Sequence, residues 1–188
     1  MSKVPTKTDH SYFTEKVQLR LNNLPDKEPI NVLDMFAGQG MIWDEVIKRS
    51  GRKINILGME KKAGIPRIYL LGDNEKYQIN YDAFDLIDLD AYGIPYRQMK
   101  RILDMATKKI GIFATLIQVS IGVLPSALLL NFGYTKAMIR KSPTIFNRHG
   151  QEKLLSYLAM RDIRWVKFYS TPNRRKTYLY FETLEKAT

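Results

Sequence analysis

With 188 residues, of which 45% are hydrophobic and 26% charged, the chain has the composition of one globular domain, which excludes a disordered protein. It has no cysteine and two histidines, which excludes a disulfide framework and a histidine-rich zinc centre, so we expect no metal. The net charge of +11 favours a polyanionic partner, either nucleic acid or an anionic membrane surface. The first residues lack the apolar stretch of a secretory signal, so we expect a cytoplasmic protein.

Along the chain, the apolar pattern alternates between strands and helices. A polar arm over residues 1–28, helical at 12–24, is expected to precede a single domain over 29–188. Strands are predicted at 30–36, 54–59, 67–71, 84–89, 110–119, 164–169 and 177–182, and helices at 41–49, 95–108, 125–133 and 151–160. This order predicts an α/β fold with a doubly wound, seven-stranded, mostly parallel sheet and a C-terminal antiparallel hairpin.

Residues 110–135 contain no charged side chain and are long enough to span a bilayer. Gly122, Pro125 and Gly133 interrupt this run, so we expect a buried strand and a short helix instead of a membrane partner. A basic loop is predicted between Gly133 and the helix at 151–160.

The first predicted strand ends in the motif DMFAGQG, and a helix follows at once. In parallel sheets ligands bind at the carboxyl ends of the strands, so this motif is a candidate binding loop. Gly38 and Gly40 allow a ligand to approach the backbone, and free N–H groups at the helix start favour a polar or anionic group. A GxG pair alone is equally typical of a tight strand-to-helix turn.

Two further strand ends carry acids. Glu60 follows the second strand, where an adenosine-type ligand would present its ribose hydroxyls, although such a residue is more often a surface charge. Asp73 follows the third strand, where it can bind an adenine amino group, but Gly72-Asp73-Asn74 is just as typical of a turn.

Taken together, VLDMFAGQG, these two acids and DLDAYG after the fourth strand resemble the class I, Rossmann-like S-adenosylmethionine-dependent methyltransferases over residues 30–182. The resemblance implies S-adenosylmethionine as the cofactor. It implies a cofactor site formed by Asp34, Phe36, Gly38, Gly40, Glu60, Asp73 and Asp88. In that site Asp34 and the glycines surround the methionine part, Glu60 binds the ribose and Asp73 the adenine. Asp88 is alternatively a structural acid that accepts hydrogen bonds from loop N–H groups, which is the interpretation we favour.

The segment DLIDLDAYGIP is similar to the tRNA guanine-N2 dimethyltransferases, which have proline in place of Ala91 and an additional C-terminal region. In the amino-methylating branch of the family this loop binds the substrate amine. The N–H bonds of such an amine must be accepted so that its lone pair faces the methyl sulfonium. Asp90 and the Ala91 carbonyl can accept them, and Tyr92 can stack on the base. The absence of cysteine excludes the covalent mechanism of the cytosine-C5 enzymes.

Basic residues with interleaved aromatics suit a flipped or single-stranded base. The candidates for binding nucleic acid are Arg97, Lys100, Arg101, Lys136, Arg140, Lys141 and Arg148, next to Tyr134 and Phe146. A solvated positive face with Phe146 in the core is the alternative. We therefore predict methylation of an exocyclic base amine, with RNA of the tRNA kind favoured. The alternatives are DNA adenine-N6 methylation, a non-catalytic nucleic-acid-binding protein, and a methyltransferase for small molecules or proteins.

Overall fold

The computed structural model describes residues 12–62, 70–91, 93–117, 124–171 and 176–186. Their strands are β1 (Ile30–Asp34), β2 (Ile54–Glu60), β3 (Leu70–Leu71), β4 (Leu86–Leu89), β5 (Gly111–Ile117), β6 (Val166–Ser170) and β7 (Lys176–Glu182). Their helices are α1 (Phe13–Leu21), α2 (Met41–Ser50), α3 (Tyr96–Met105), α4 (Ser126–Asn131), α5 (Lys136–Lys141) and α6 (Phe146–Ala159). Two 3₁₀ turns lie at Asn74–Lys76 and Tyr81–Ala83.

The seven strands form one sheet in the order β3-β2-β1-β4-β5-β7-β6, which confirms the predicted fold class. Strands β1 to β5 pair in parallel, while β7 pairs antiparallel with both β5 and β6. The strand order reverses between β1 and β4. In open α/β sheets the crevice at such a reversal is where ligands bind, so the fold directs attention to the carboxyl ends of these two strands.

Helices cover both faces of the sheet, which explains the nearly continuous apolar runs of its central strands. Successive side chains of a strand point to opposite faces. Val32 packs with Val17 of α1 and Trp43 of α2 on one face. Leu33 packs with residues of α3 and α6, such as Ile102, on the other.

The structure differs from the sequence prediction mainly between β5 and β6. Helix α5 lies inside the segment predicted to be a loop, and Thr135 caps it by accepting a hydrogen bond from the Met138 N–H at 3.2 Å. Helix α6 begins at Phe146, five residues before the predicted start at 151. Of the third predicted strand only Leu70–Leu71 is seen, because residues 67–69 lie outside the described part.

Among the described residues no helix combines the length and apolar character needed to cross a bilayer. The same part of the chain contains no group of three acidic or histidine side chains arranged to hold a metal ion. The predicted buried strand and short helix within 110–135 correspond to β5 and α4; residues 118–123 lie outside the described part.

Candidate active site

The loop after β1 leaves open space at the start of α2. Gly38 and Gly40 have φ angles of 52° and 74°, in the left-handed region that residues other than glycine rarely adopt. A Cβ atom added to Gly40 would meet no atom within 4 Å. A ligand can therefore approach this backbone closely, beside the free N–H groups of the helix start.

Glu60, the last residue of β2, is tied to the glycine loop. Its Oε2 accepts a hydrogen bond from the Gly38 N–H at 3.0 Å, and its Oε1 accepts two, from the Lys61 N–H at 2.7 Å and the Lys62 N–H at 3.3 Å. The structure thus brings together two residues predicted to bind the cofactor. A carboxylate has about four acceptor positions, so Glu60 retains capacity for a further donor.

Asp34, the last residue of β1, is a buried carboxylate with a single backbone donor. Its side chain accepts a hydrogen bond from the Phe36 N–H at 3.2 Å, and it forms no salt bridge within the described part of the chain. It lies beside Asp88, its partner in the β1–β4 register. Burial, together with the charge of Asp88, raises the pKa of Asp34 well above its ordinary value. A cationic group beside Asp34 would be bound favourably.

Asp88 belongs to a buried network that joins α1, α2 and β4. Arg20 Nε and Nη2 donate to its two oxygens at 2.7 and 2.8 Å, and Trp43 Nε1 donates at 2.8 Å. Burial acts to lower the pKa of Arg20, but its hydrogen bonds to Asp88 and the charges of Asp88, Asp90 and Asp34 together outweigh burial, so the pKa of Arg20 is raised. The donors to Asp88 are therefore side chains, where the sequence analysis expected loop N–H groups.

Asp90 follows β4 directly and is only 13% exposed. Its Oδ2 accepts from Lys16 Nζ at 2.7 Å, and its Oδ1 accepts from the Thr115 hydroxyl. Burial acts to raise its pKa, but the charges of Arg20 and Lys16 outweigh burial, so the pKa of Asp90 is lowered. Asp90 is therefore an ionised acceptor held in place by two donors.

The rest of the DAYG loop is described in part. Ala91 is buried, and its carbonyl accepts a hydrogen bond from the Gly93 N–H at 3.0 Å. Gly93 has a φ of 141°, and no atom lies within 4 Å of a Cβ added there. Tyr92 lies outside the described residues.

At the end of β3, Asn74 supplies the buried polar side chain, and not the predicted Asp73. It donates to the Met35 carbonyl at 2.8 Å and accepts from Gln98 at 2.9 Å. Asp73 instead lies at the partly exposed rim, where it accepts from the Glu75 N–H at 3.1 Å. A cavity of about 250 Å³ adjoins this end, with Met35, Asn74 and Gln98 in its lining.

The predicted basic residues fall into two groups. Those of α3 bind neighbouring protein groups: Arg97 pairs with Glu75 at 3.1 Å, Lys100 pairs with Asp104, and Arg101 donates to the carbonyls of Glu75 and Tyr77. Those of α5 and α6, namely Lys136, Arg140, Lys141 and Arg148, are exposed and form no salt bridge with any described residue. Tyr134 and Phe146 are buried in the core.

Four residues of this site were not identified from the sequence: Lys16, Arg20, Trp43 and Thr115. Each donates to Asp88 or Asp90. The sequence did contain one indication of them: carboxylates in a buried strand are unfavourable unless hydrogen-bond donors lie nearby, so donors to Asp88 and Asp90 had to exist. Lys16 and Arg20 are four residues apart on a helix, and this spacing places both side chains on one face, where they can act as a pair of donors.

Known proteins resemble this chain in structure but not in sequence. No family model matches the chain, and no curated protein sequence matches it. A SAM-dependent methyltransferase from Aquifex aeolicus superposes with a TM-score of 0.54 over 94% of each chain, at 13% identity. The plantazolicin methyltransferase BpumL, in complex with a triazolic desmethylPZN analog and SAH, gives 0.54 over 92% of this chain and 84% of its own, at 11% identity.

A "possible exported protein" from Bordetella parapertussis gives a TM-score of 0.58 over 92% of this chain and 67% of its own, at 10% identity. At these identities the similarity concerns the fold. The strand order, the antiparallel last strand and the two methyltransferase matches agree on one architecture. The chain has the fold of the class I S-adenosylmethionine-dependent methyltransferases.

Proposed function

We propose that this protein is an S-adenosylmethionine-dependent methyltransferase that methylates an exocyclic amine of a nucleic-acid base, with tRNA-like RNA favoured over DNA. The observation that carries the proposal is Asp90, an ionised carboxylate at the carboxyl end of β4, next to the reversal of strand order. Such a group accepts N–H bonds and thereby turns an amine lone pair toward a methyl donor.

The residues present fit the cofactor. When bound, S-adenosylmethionine supplies a sulfonium methyl group: the amine nitrogen bonds the methyl carbon, the C–S electron pair stays on sulfur, and an N–H proton leaves to water. The open glycine loop accommodates its methionine part. Asp34, buried without a salt bridge among the described residues, suits the positive charge of that part. Glu60 keeps one acceptor position for a ribose hydroxyl, and Asp73 and Asn74, at the end of β3, are proposed to bind the adenine.

Asp90 orients the amine and does not remove its proton, because a carboxylate with a lowered pKa is a weak base. The Ala91 carbonyl accepts from the Gly93 N–H and, having two lone pairs, can accept one amine N–H as well. Tyr92 is proposed to stack on the target base, as the resemblance to the amino-methylating enzymes implies.

RNA is favoured by charge and by motif. Helix α5 comes after β5 and α4 in the chain, and its exposed cations, with no salt bridge among the described residues, suit a phosphate backbone. The α3 cations Arg97, Lys100 and Arg101 are proposed to contribute less, since each already binds a protein group. The segment DLDAYG resembles the tRNA guanine-N2 dimethyltransferases.

The test is transfer of labelled methyl from S-adenosylmethionine to unmodified tRNA, ribosomal RNA and duplex DNA in parallel, followed by mass spectrometry of the nucleosides. We expect a labelled base amine such as N2-methylguanosine. Asp90→Asn should lower kcat about 100-fold, because it misplaces the amine, while Asp162→Asn, an exposed control, keeps wild-type turnover. Equal turnover in Asp90→Asn would contradict the role of Asp90, and label in DNA alone would favour adenine-N6 methylation.

A second candidate is methylation of a small molecule or a protein. The observation in its favour is the match to the plantazolicin methyltransferase, which was solved with a desmethylPZN analog. In that case the +11 charge would be incidental, and turnover would be insensitive to competing RNA. Label in a desmethylPZN analog offered as the methyl acceptor, with none in any nucleic acid, would support this function.

A further inference from the structure

The ammonium group of Lys16 lies 2.7 Å from Asp90, although the two residues are 74 positions apart in the chain. We infer that Lys16 is a positioning residue that, with Thr115, holds Asp90 as a fixed, ionised acceptor and thereby selects neutral amines as substrates. This inference rests on the proposed function and adds α1 to the reaction centre.

Lys16 is held in place by its surroundings. Its side chain is only 12% exposed, and its ammonium lies 5.3 Å from the centre of the Tyr178 ring. Arg20 Nη1 donates to the Lys16 carbonyl at 2.9 Å while its other nitrogens bind Asp88. The buried Val17 fixes the same turn of α1 against the sheet. Lys16 is therefore not a solvated surface lysine.

The contacts of Asp90 leave room for a substrate. A carboxylate has about four acceptor positions, and Lys16 and Thr115 occupy one on each oxygen. The remaining positions can accept N–H bonds from an amine. Because both oxygens are already held by protein donors, the carboxylate cannot rotate away, which is the geometric requirement for orienting a nucleophile.

The groups that face Asp90 come from five elements: Lys16 and Arg20 from α1, Asp34 from β1, Asp88 from β4, Thr115 from β5 and Tyr178 from β7. Arg20 is committed to Asp88, so Lys16 is the cation that directly compensates Asp90. Burial, reinforced by the charge of Asp90, raises the pKa of Tyr178, so its phenol stays neutral.

This arrangement discriminates between classes of amine. An alkylammonium group, such as a lysine side chain, is repelled by Lys16, which already neutralises the charge of Asp90, and its protonated nitrogen has no lone pair to accept the methyl group. An exocyclic amine of a nucleobase is neutral and only donates hydrogen bonds. The contact therefore favours aromatic base amines over alkylamines.

The first test measures the carboxyl titration of Asp90 by NMR in protein labelled with ¹³C-aspartate, without cofactor, with Asp90→Asn giving the assignment. We expect the midpoint in the wild type to lie below that of an ordinary aspartate. Lys16→Met should move it upward, and Lys16→Arg should restore it, whereas Lys48→Met on an exposed face of α2 should change nothing.

An unchanged midpoint in Lys16→Met would overturn the inference. So would a wild-type midpoint at or above the ordinary value, which remains measurable even if Lys16→Met does not fold.

The second test separates this inference from the proposed function. With the RNA substrate, Lys16→Met should lower kcat about tenfold to 100-fold and move the acidic limb of the pH profile upward, while calorimetric affinity for S-adenosylmethionine is unchanged. Wild-type kcat and pH profile in Lys16→Met would overturn the inference alone. A wild type that methylates no amine would refute the proposed function, and the titration would still decide whether Lys16 controls Asp90.

Discussion

At the scale of single residues, the pKa values of two aspartates at the ends of neighbouring strands shift in opposite directions because their partners differ. Asp34 is buried beside Asp88 and forms no salt bridge within the described residues, so its pKa is raised. Asp90 is buried beside Lys16 and Arg20, so its pKa is lowered. The sequence shows that both carboxylates end strands. It does not show the directions of their pKa shifts, because Arg20 precedes Asp88 by 68 positions and Lys16 precedes Asp90 by 74.

Asp34→Asn should stabilise the apo protein at neutral pH. Since the folded-state pKa of Asp34 is raised, the wild type loses stability as the pH rises from the unfolded-state pKa of about 3.9 towards the folded-state value. The asparagine variant lacks this loss and still accepts from the Phe36 N–H. We expect equal melting temperatures at pH 3 and a higher one for Asp34→Asn at pH 8.

The exposed Asp26→Asn serves as the matched control and should leave the melting temperature unchanged at both pH values. The same Asp34→Asn variant should bind S-adenosylmethionine more weakly, because a carboxylate that faces a cationic ligand is lost. A lower melting temperature of Asp34→Asn at pH 8 would show that Asp34 stabilises the fold through a contact of its charged form.

At the scale of elements, the more deeply buried of the two described ion pairs between α1 and the end of β4 is Arg20–Asp88. Arg20 and Asp88 are 3% and 2% exposed. Removal of one partner leaves an uncompensated buried charge, so Arg20→Met should destabilise the protein by about 3–5 kcal/mol. Urea denaturation at pH 7 would measure this free energy of unfolding.

The control for this prediction is a double variant. Arg20→Met with Asp88→Asn removes the unpaired charge and keeps an acceptor for Trp43 Nε1, so it should recover most of the lost stability. A double variant as unstable as Arg20→Met alone would mean that Arg20 acts through packing, for example its contact with the Phe113 ring 5.2 Å away.

Helix α5 allows a test of the nucleic-acid surface. Reversal of Lys136, Arg140 and Lys141 to glutamate should weaken binding of unmodified tRNA about tenfold or more and lower the salt-dependence slope by about 2–3, as three lost phosphate contacts imply. Lys48, Arg49 and Lys53, also exposed, give a matched control with the same change in net charge. Equal losses in both variants would indicate a response to net charge and no localised site.

At the scale of the whole molecule, the sheet was predictable because its central strands are buried on both faces and therefore appear as apolar runs separated by helices. Helix α5 was not predictable, since its six residues contain only one buried side chain, Ile139. The role of α1 was also missed, because its polar residues are typical of a solvated arm until the fold places Arg20 and Lys16 against Asp88 and Asp90.

The position of the candidate site makes a prediction about the whole domain. The glycine loop, Asp34 and Glu60 end the strands at the centre of the sheet, so a ligand bound there requires the folded sheet. A ligand that binds only the folded state, at 100 times its Kd, stabilises it by about 2.7 kcal/mol. For a domain of this size 1 kcal/mol corresponds to about 2–4 °C. S-adenosylhomocysteine should therefore raise the melting temperature by about 5–11 °C, and less in Asp34→Asn.

Adenosine alone should have little effect, since it cannot reach the glycine loop and Asp34 together. No increase at millimolar S-adenosylhomocysteine would mean that the chain keeps the fold without binding the cofactor.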